Sequence, residues 1–246
     1  MREGYRVVMA EIPRPTTVRR LVSFSEAVYE GRTEVEGISA LLCDQRHLLA
    51  DIGTVTVVVD PDGACIEAVA PDVVVDARLT KRTPVPLPHG STPLIGIGPG
   101  FLVGRDADLV IETHRTAGPG RVIRSGGALP YTGIPGKIGG ETLRRVLRAP
   151  CAGFLTPCCQ LGDLIAENQI MARIDGQTLH SAIAGRVRGL IHSEVELCVG
   201  MKVGDVDPRG EAVDPHRISD KALAIGGGVL AALQMLNVDP VKRGAD

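Results

Sequence analysis

At 246 residues, 44% hydrophobic and 23% charged, the chain has the composition of a globular protein with room for one large domain or two smaller ones. A net charge of -2 and an aromatic content of 2% argue against a nucleic-acid interface, which needs a basic surface and rings for stacking. No apolar run reaches the roughly 18 residues of a spanning helix and the first residues lack a signal-peptide core, so the expectation is a soluble, cytoplasmic protein with no membrane partner.

The six cysteines (Cys43, Cys65, Cys151, Cys158, Cys159, Cys198) form no CxxC pair, so neither a zinc site nor a disulfide framework is expected, and no metal ligand is assigned. Tyr5 to Ile12 has the pattern of a short buried strand closed by Glu11 and stopped by Pro13 and Pro15. The glycine turn that would precede such a strand in a nucleotide-binding unit is not found ahead of it. Thr16 to Tyr29 carries Val18, Leu21, Val22 and Val28 at near-helical spacing and predicts one helix, interrupted near Ser23 to Ser25. Strands are predicted at Gly37 to Leu42, Thr54 to Val59 and Asp72 to Asp76, with a short helix at Gly63 to Ala70 between the last two. Asp60 and Asp76 then stand at the carboxyl ends of apolar strands, the edge where open parallel sheets bind ligands. Asp76, followed by Arg78, Lys81 and Arg82, is the stronger candidate of the two.

Leu94 to Pro150 is the most informative stretch. LIGIGPGF runs from an apolar strand into glycines at 96, 98 and 100, and LVIET ends at Glu112 with His114 and Arg115 beyond it. Fixing a glycine costs about 0.5–1 kcal/mol more than fixing an alanine, so such density implies left-handed turns or a close approach of backbone to a ligand. The match to a dinucleotide fingerprint is imperfect, because Pro99 interrupts the turn and the third glycine is out of register. A second glycine loop, Thr132 to Gly140, contributes Gly133, Gly136, Gly139, Gly140 and Lys137, without the ending of a P-loop.

After Arg148 an internal repeat appears, in which Ala152-Gly153 answers Ala184-Gly185 and the halves join through the hairpin signal Asp175-Gly176. The pattern is similar to biotinyl and lipoyl carrier domains, but the central turn offers no attachment lysine, which excludes a swinging arm and leaves a structural or docking module. The final element, ISDKALAIGGGVLAALQML, predicts a helix capped by Ser219, with Gly226, Gly227 and Gly228 in its interior at about 1 kcal/mol each against alanine. Close packing at the glycines, or a ligand facing Ser219, Asp220 and Lys221 at the helix start, would explain them.

Taken together, PDVVVDAR (Pro71 to Arg78) with Lys81 and Arg82, GPGF (Gly98 to Phe101), VIET followed by Arg115, GRVI (Gly120 to Ile123), TGIPG with Gly139 and Gly140, RVLRAP, VRGLI, GDVDPRG (Gly204 to Gly210) and ISDKALAIGGGVL resemble the YqeB-type accessory proteins associated with selenium-dependent molybdenum hydroxylases. The resemblance runs over nearly the whole chain from Val7. Two departures are the strand and glycine turn found upstream in similar sequences and His114, where asparagine is common. The resemblance implies a maturation role for a molybdenum hydroxylase of the xanthine or purine dehydrogenase kind, with that client enzyme as partner.

The expected architecture is therefore α/β: a Rossmann-like parallel-sheet domain, truncated at its amino terminus (1–145 plus 216–246), with an inserted biotinyl/lipoyl-like β-sandwich (146–215). The expected site is one anion-accepting pocket at the carboxyl edge of the sheet. It comprises Asp76, Lys81, Gly98, Gly100, Glu112, Arg115, the loop of Gly133, Gly136, Lys137, Gly139 and Gly140, and Ser219, Asp220 and Lys221, holding a nucleotide or a molybdenum or selenium cofactor species. An NAD(P)-linked oxidoreductase is the alternative. No catalytic residue is assigned, and a homo-oligomer stays open.

Overall fold

The protein is described here from a computed structural model covering residues 2–44, 48 and 53–241. The chain forms two compact units, one from Met1–Ala10, Cys43–Gly133 and Ile218–Asp246, the other from Glu11–Leu42 and Ile134–Arg217.

The first unit is built on a four-stranded mixed sheet. Val74–Asp76, Leu94–Ile97 and Leu109–Ile111 run parallel, and Val122–Ile123 joins antiparallel at the edge. Both faces of this sheet are covered, which is why its strands read as unbroken apolar runs rather than as alternations. On one face Val74, Leu94, Val110 and Ile123 cluster with Phe101 and Ala107. On the other, Ile95, Ile97, Leu109 and Ile111 pack against Ala232 and Leu233 of the helix Asp220–Met235. Burying side chains of this kind is worth about 1.5–3 kcal/mol each, so the helix is held by its sheet contact. In the same unit Thr56 of the strand Thr54–Val59 donates its N–H to the Val7 carbonyl at 3.1 Å.

Gly96 has no side chain because the Phe101 ring occupies that space. A Cβ at position 96 would lie 2.9 Å from the Phe101 Cβ and closer still to the ring. Gly96→Ala is expected to destabilise the protein by about 1–3 kcal/mol, the usual result of overpacking a close-packed core. Urea unfolding should show part of the loss restored by adding Phe101→Leu.

The second unit is entirely antiparallel in its two carboxyl-terminal sheets. One contains Leu155–Pro157, Ile170–Ile174 and Gln177–His180; the other orders Leu164–Ile165, Gly185–Leu190, Lys202–Asp207 and Val146–Arg148. Met171, Ile174, Val187, Ile191 and Val203 anchor their shared core. The turn at Asp175-Gly176 has φ of +44° and +82°, the left-handed pair that a two-residue hairpin of right-twisted strands requires. A further hairpin, Arg32–Val35 with Ile38–Leu42, turns at Glu36-Gly37.

Several expectations are corrected. The chain is not a Rossmann-like α/β fold carrying a biotinyl/lipoyl-like β-sandwich. Its strands are spread over several small mixed or antiparallel sheets, and among the described residues Asp220–Met235 is the only helix longer than five residues. The reason lies in the connections. A Rossmann crossover needs a helix, whereas the links between the parallel strands contain the proline-rich run Pro84 to Pro93 and then Pro99 between glycines, none of which sustains helical hydrogen bonding. The single helix expected over Thr16 to Tyr29 is instead a series of short turns, Arg20–Val22, Phe24–Glu26 and Ala27–Glu30. Ser23 is extended between them and accepts the Ser25 N–H on its hydroxyl at 3.3 Å, a local bond that competes with the helix.

Candidate functional site

The three parallel strands of the first unit end on a common edge, which places Asp76, Gly98 to Gly100 and Glu112 side by side in the sheet order. The glycines here make room for the chain itself. Gly100 has φ of +110°, and a Cβ there would lie 2.8 Å from the Arg82 carbonyl carbon. At Gly98 a Cβ would press on the Thr113 side chain at 3.0 Å. The glycine spacing thus seats the Leu79 to Arg82 loop and Thr113 against the strand end.

The two carboxylates are occupied by local partners. Asp76, 2% exposed, accepts both Nε and an Nη of Arg78 at 2.5–3.1 Å and the Arg78 N–H at 3.1 Å. The Arg78 guanidinium also donates to the Val85 carbonyl at 2.7 Å, fixing the following loop, and its hydrogen bonds to Asp76 push its pKa up. Glu112 is fully buried. One of its oxygens accepts the Thr113 and His114 N–H groups at 2.7 Å each, and the other accepts the Leu129 N–H at 3.0 Å with Arg121 at 4.0 Å. It is therefore a buried negative charge that organises the loop floor. Asp60, the other strand-end carboxylate, accepts the N–H groups of Gly63, Ala64 and Cys65 at 3.1, 3.1 and 2.7 Å and serves the helix Cys65–Val69. Burial pushes its carboxyl up, but these bonds outweigh it and leave the pKa below the ordinary value.

Among the described residues Lys81 and Lys221 make no ion pair, and Arg115 makes one, with Asp220. Lys221 lies in the first turn of the helix Asp220–Met235, begun by Ser219, whose hydroxyl accepts the Ala222 N–H at 3.2 Å. Burial pushes the Lys221 ammonium down, the charges of Arg115 and Lys81 push it further, and Glu112 opposes them. Arg115 reaches Asp220 at 3.3 Å, a pair of which Asp220 is 82% exposed, so water screens it heavily. Lys81 is held in a left-handed conformation, φ +62°, with its ammonium 4.2 Å from the centroid of the exposed Tyr131 ring. Lys81 and Arg115 thus both add positive charge that is felt at Lys221, and Glu112 opposes it. His114 faces its own turn, its Nδ1 2.9 Å from the Thr116 hydroxyl.

Ten of the sequence-predicted positions fall in this unit: Asp76, Lys81, Gly98, Gly100, Glu112, Arg115, Gly133, Ser219, Asp220 and Lys221. Gly136, Lys137, Gly139 and Gly140 belong to the other unit. There the Gly136 carbonyl accepts from Arg145 Nε at 3.2 Å, Gly139 lies against Pro208, and Lys137 is exposed. The sequence reading missed the Tyr131 ring and the Leu129 N–H, which are brought in by a loop without periodicity.

Over 242 residues, 97% of its length, the chain is 42% identical to a protein of Escherichia coli (strain K12) described as uncharacterized protein YqeB. The chain spans 45% of that relative's length. No family model and no solved structure matches the chain. The identity bears out the resemblance to YqeB-type proteins that the motifs carry. Among the described residues no helix is long and apolar enough to cross a membrane.

Proposed function

We propose that this YqeB-type chain acts as a cytoplasmic accessory factor in the maturation of a molybdenum hydroxylase of the xanthine or purine dehydrogenase kind, and that it holds an anionic cofactor or nucleotide at Lys81, Arg115 and Lys221. The maturation role rests on the family resemblance. The anion site is supported by placement: Arg115 pairs at 3.3 Å with Asp220, the residue before Lys221 in the first turn of the helix, and the charges of Arg115 and Lys81 bear on the Lys221 ammonium. An anion seated among them would relieve that repulsion, and the screened Arg115–Asp220 pair leaves Arg115 able to turn toward it. No observation favours the alternative of an NAD(P)-linked oxidoreductase, since the Rossmann-like sheet that suggested it is not formed.

A thermal-shift series with ATP, pyrophosphate and selenophosphate tests the site. A ligand at about 100 times its dissociation constant for a site adds nearly 3 kcal/mol to folding stability, and Arg115→Ala and Lys221→Ala should each remove most of the contribution made by this site. An undiminished shift in both variants would place the anion elsewhere.

The same site predicts a pH dependence. The Lys221 pKa lies below 10.5 in the folded protein, and a bound anion stabilises the protonated form and raises it. Binding then takes up protons, and affinity should fall as pH rises through the folded-state value. Isothermal titration in buffers of differing ionisation enthalpy would detect the proton uptake, and its loss in Lys221→Met assigns it.

A further inference from the structure

The second unit contains a charged network outside the site above. Along the strand Lys202–Asp207, Asp205 and Asp207 share one face and are each 2% exposed. Asp207 accepts from Arg188 at 3.0 Å and from Arg209 at 2.8 Å. Asp205 is met by three cations: Arg145, itself 7% exposed, on Oδ1, and Arg19 and Lys202 on the same Oδ2 at 3.1 and 3.9 Å.

How Arg19 arrives there is specified locally. Gly189, paired with Asp205 across the sheet, has no side chain, and a Cβ would lie 3.2 Å from the Val18 carbonyl oxygen. The Val18 segment therefore lies directly on the sheet, its carbonyl accepting the Leu190 N–H at 2.8 Å. Arg19, the next residue, is delivered to Asp205. One carboxylate cannot neutralise three cations, and the surplus is visible in its neighbours. Burial pushes the Lys202 ammonium down, and although Asp205 opposes this, Arg19, Arg145 and Arg148 push it further. Burial pushes the Arg188 guanidinium down as well, and Arg19 adds to this against the opposing Asp207 and Asp205. Arg145 is enclosed, whereas Lys202 and Arg19 keep side-chain exposures of 40% and 26%. The unneutralised charge is thus presented at the surface, with the buried Arg145–Asp205 pair beneath it.

We propose that Arg19 and Lys202, supported by Arg148, form a second anion site that takes a multivalent oxyanion of the phosphate type. It would sit over Asp205, accepting from Arg19 and Lys202 while Arg145 continues to hold the carboxylate. A neutral or singly charged ligand would gain little there, because the surplus exceeds one positive charge.

The test is isothermal titration of the full chain with inorganic phosphate and with pyrophosphate. The variants Lys202→Met and Arg19→Gln remove each positive charge while keeping part of the aliphatic stem, and Lys221→Met disables the first site. The expected result is a loss of affinity of tenfold or more for one class of sites in Lys202→Met and in Arg19→Gln, with that class retained in Lys221→Met. Unaltered binding in Lys202→Met and Arg19→Gln would overturn the proposal, as would a wild-type protein whose whole response disappears with Lys221→Met. Should either variant fail to fold, NMR titration of the Lys202 ammonium in the wild-type chain decides the matter. Pyrophosphate must raise its pKa, and an unmoved titration curve rejects the site. The first site stands or falls by Arg115 and Lys221 alone, so the two outcomes are separable.

Discussion

Gly228→Ala should destabilise the protein by about 2 kcal/mol or more, whereas Gly226→Ala and Gly227→Ala should each stabilise it by about 0.5–1 kcal/mol. The three glycines are consecutive in the helix Asp220–Met235, and helix propensity alone would reward each replacement with up to about 1 kcal/mol. Their surroundings reverse that order. A Cβ at 228 would lie 2.8 Å from the Gly120 carbonyl carbon and nearer still to its oxygen, and a Cβ at Gly120 would lie 2.7 Å from the Ala224 carbonyl carbon. Helix and loop are therefore in mutual backbone contact, through two positions that both lack side chains. Gly120 also has φ of +88° and donates its N–H to the Glu112 carbonyl at 2.8 Å, so the loop cannot retreat without disturbing the strand end. To admit a methyl group the helix must lift, and Ala232 and Leu233 then lose contact with Ile95, Ile97, Leu109 and Ile111. Overpacking of this kind costs about 1–3 kcal/mol before such losses are counted. At 226 and 227 an added Cβ meets nothing within 4 Å. Thermal unfolding of the three single variants should separate them by several degrees in opposite directions. A neutral Gly228→Ala would mean that helix and loop are not seated as described.

These glycines also mark the boundary of what a sequence can tell. The helix start was legible, because Ser219 followed by an apolar stripe is a local signal. That something approaches the triple glycine was legible too, but which glycine it approaches was not, since Gly120 lies on a distant loop. The parallel strands at Val74–Asp76, Leu94–Ile97 and Leu109–Ile111 could be read as buried runs. Their connections were misjudged as parts of a Rossmann-like domain, since an apolar run ending in an acidic residue looks alike with or without crossover helices. At the candidate site the charged residues were identifiable singly. Their roles depended on their partners: Arg78 closes on Asp76 from two residues away, the Thr113 N–H and the more distant Leu129 N–H close on Glu112, and the charges of Lys81 and Arg115 bear on Lys221. The network around Asp205 was missed because GDVDPRG reads as a strand closed by an aspartate. Its cations come from positions 19, 145, 188 and 209 as well as from the neighbouring Lys202.

Asp205→Ala should cost about 3–5 kcal/mol, a large share of the roughly 5–15 kcal/mol that holds a typical domain folded. The size of the loss comes from what is left behind. Arg145 is 7% exposed and would keep its charge without a carboxylate, with Arg19 and Lys202 still nearby. Replacing Arg145 and Asp205 together by Met and Leu should recover much of the loss, because removing both members of a buried pair avoids the uncompensated charge. Urea unfolding at neutral pH of the single and double variants measures the coupling. If Asp205→Ala cost less than about 1 kcal/mol, Arg145 would have to reach solvent. Asp207 gives the acid limb of the same network. Burial pushes its carboxyl up, but the Arg209 side chain and N–H together with Arg188 outweigh this and bring the pKa down to about 2. A carboxyl held below its ordinary 3.8 contributes stability that is complete above that value and is lost as pH falls from there through about 2. Wild-type unfolding free energy should therefore decline between pH 4 and 2 more steeply than that of Asp207→Asn, which lacks the titrating group. Equal slopes in the two proteins would show that the Asp207 pairs do not persist in solution.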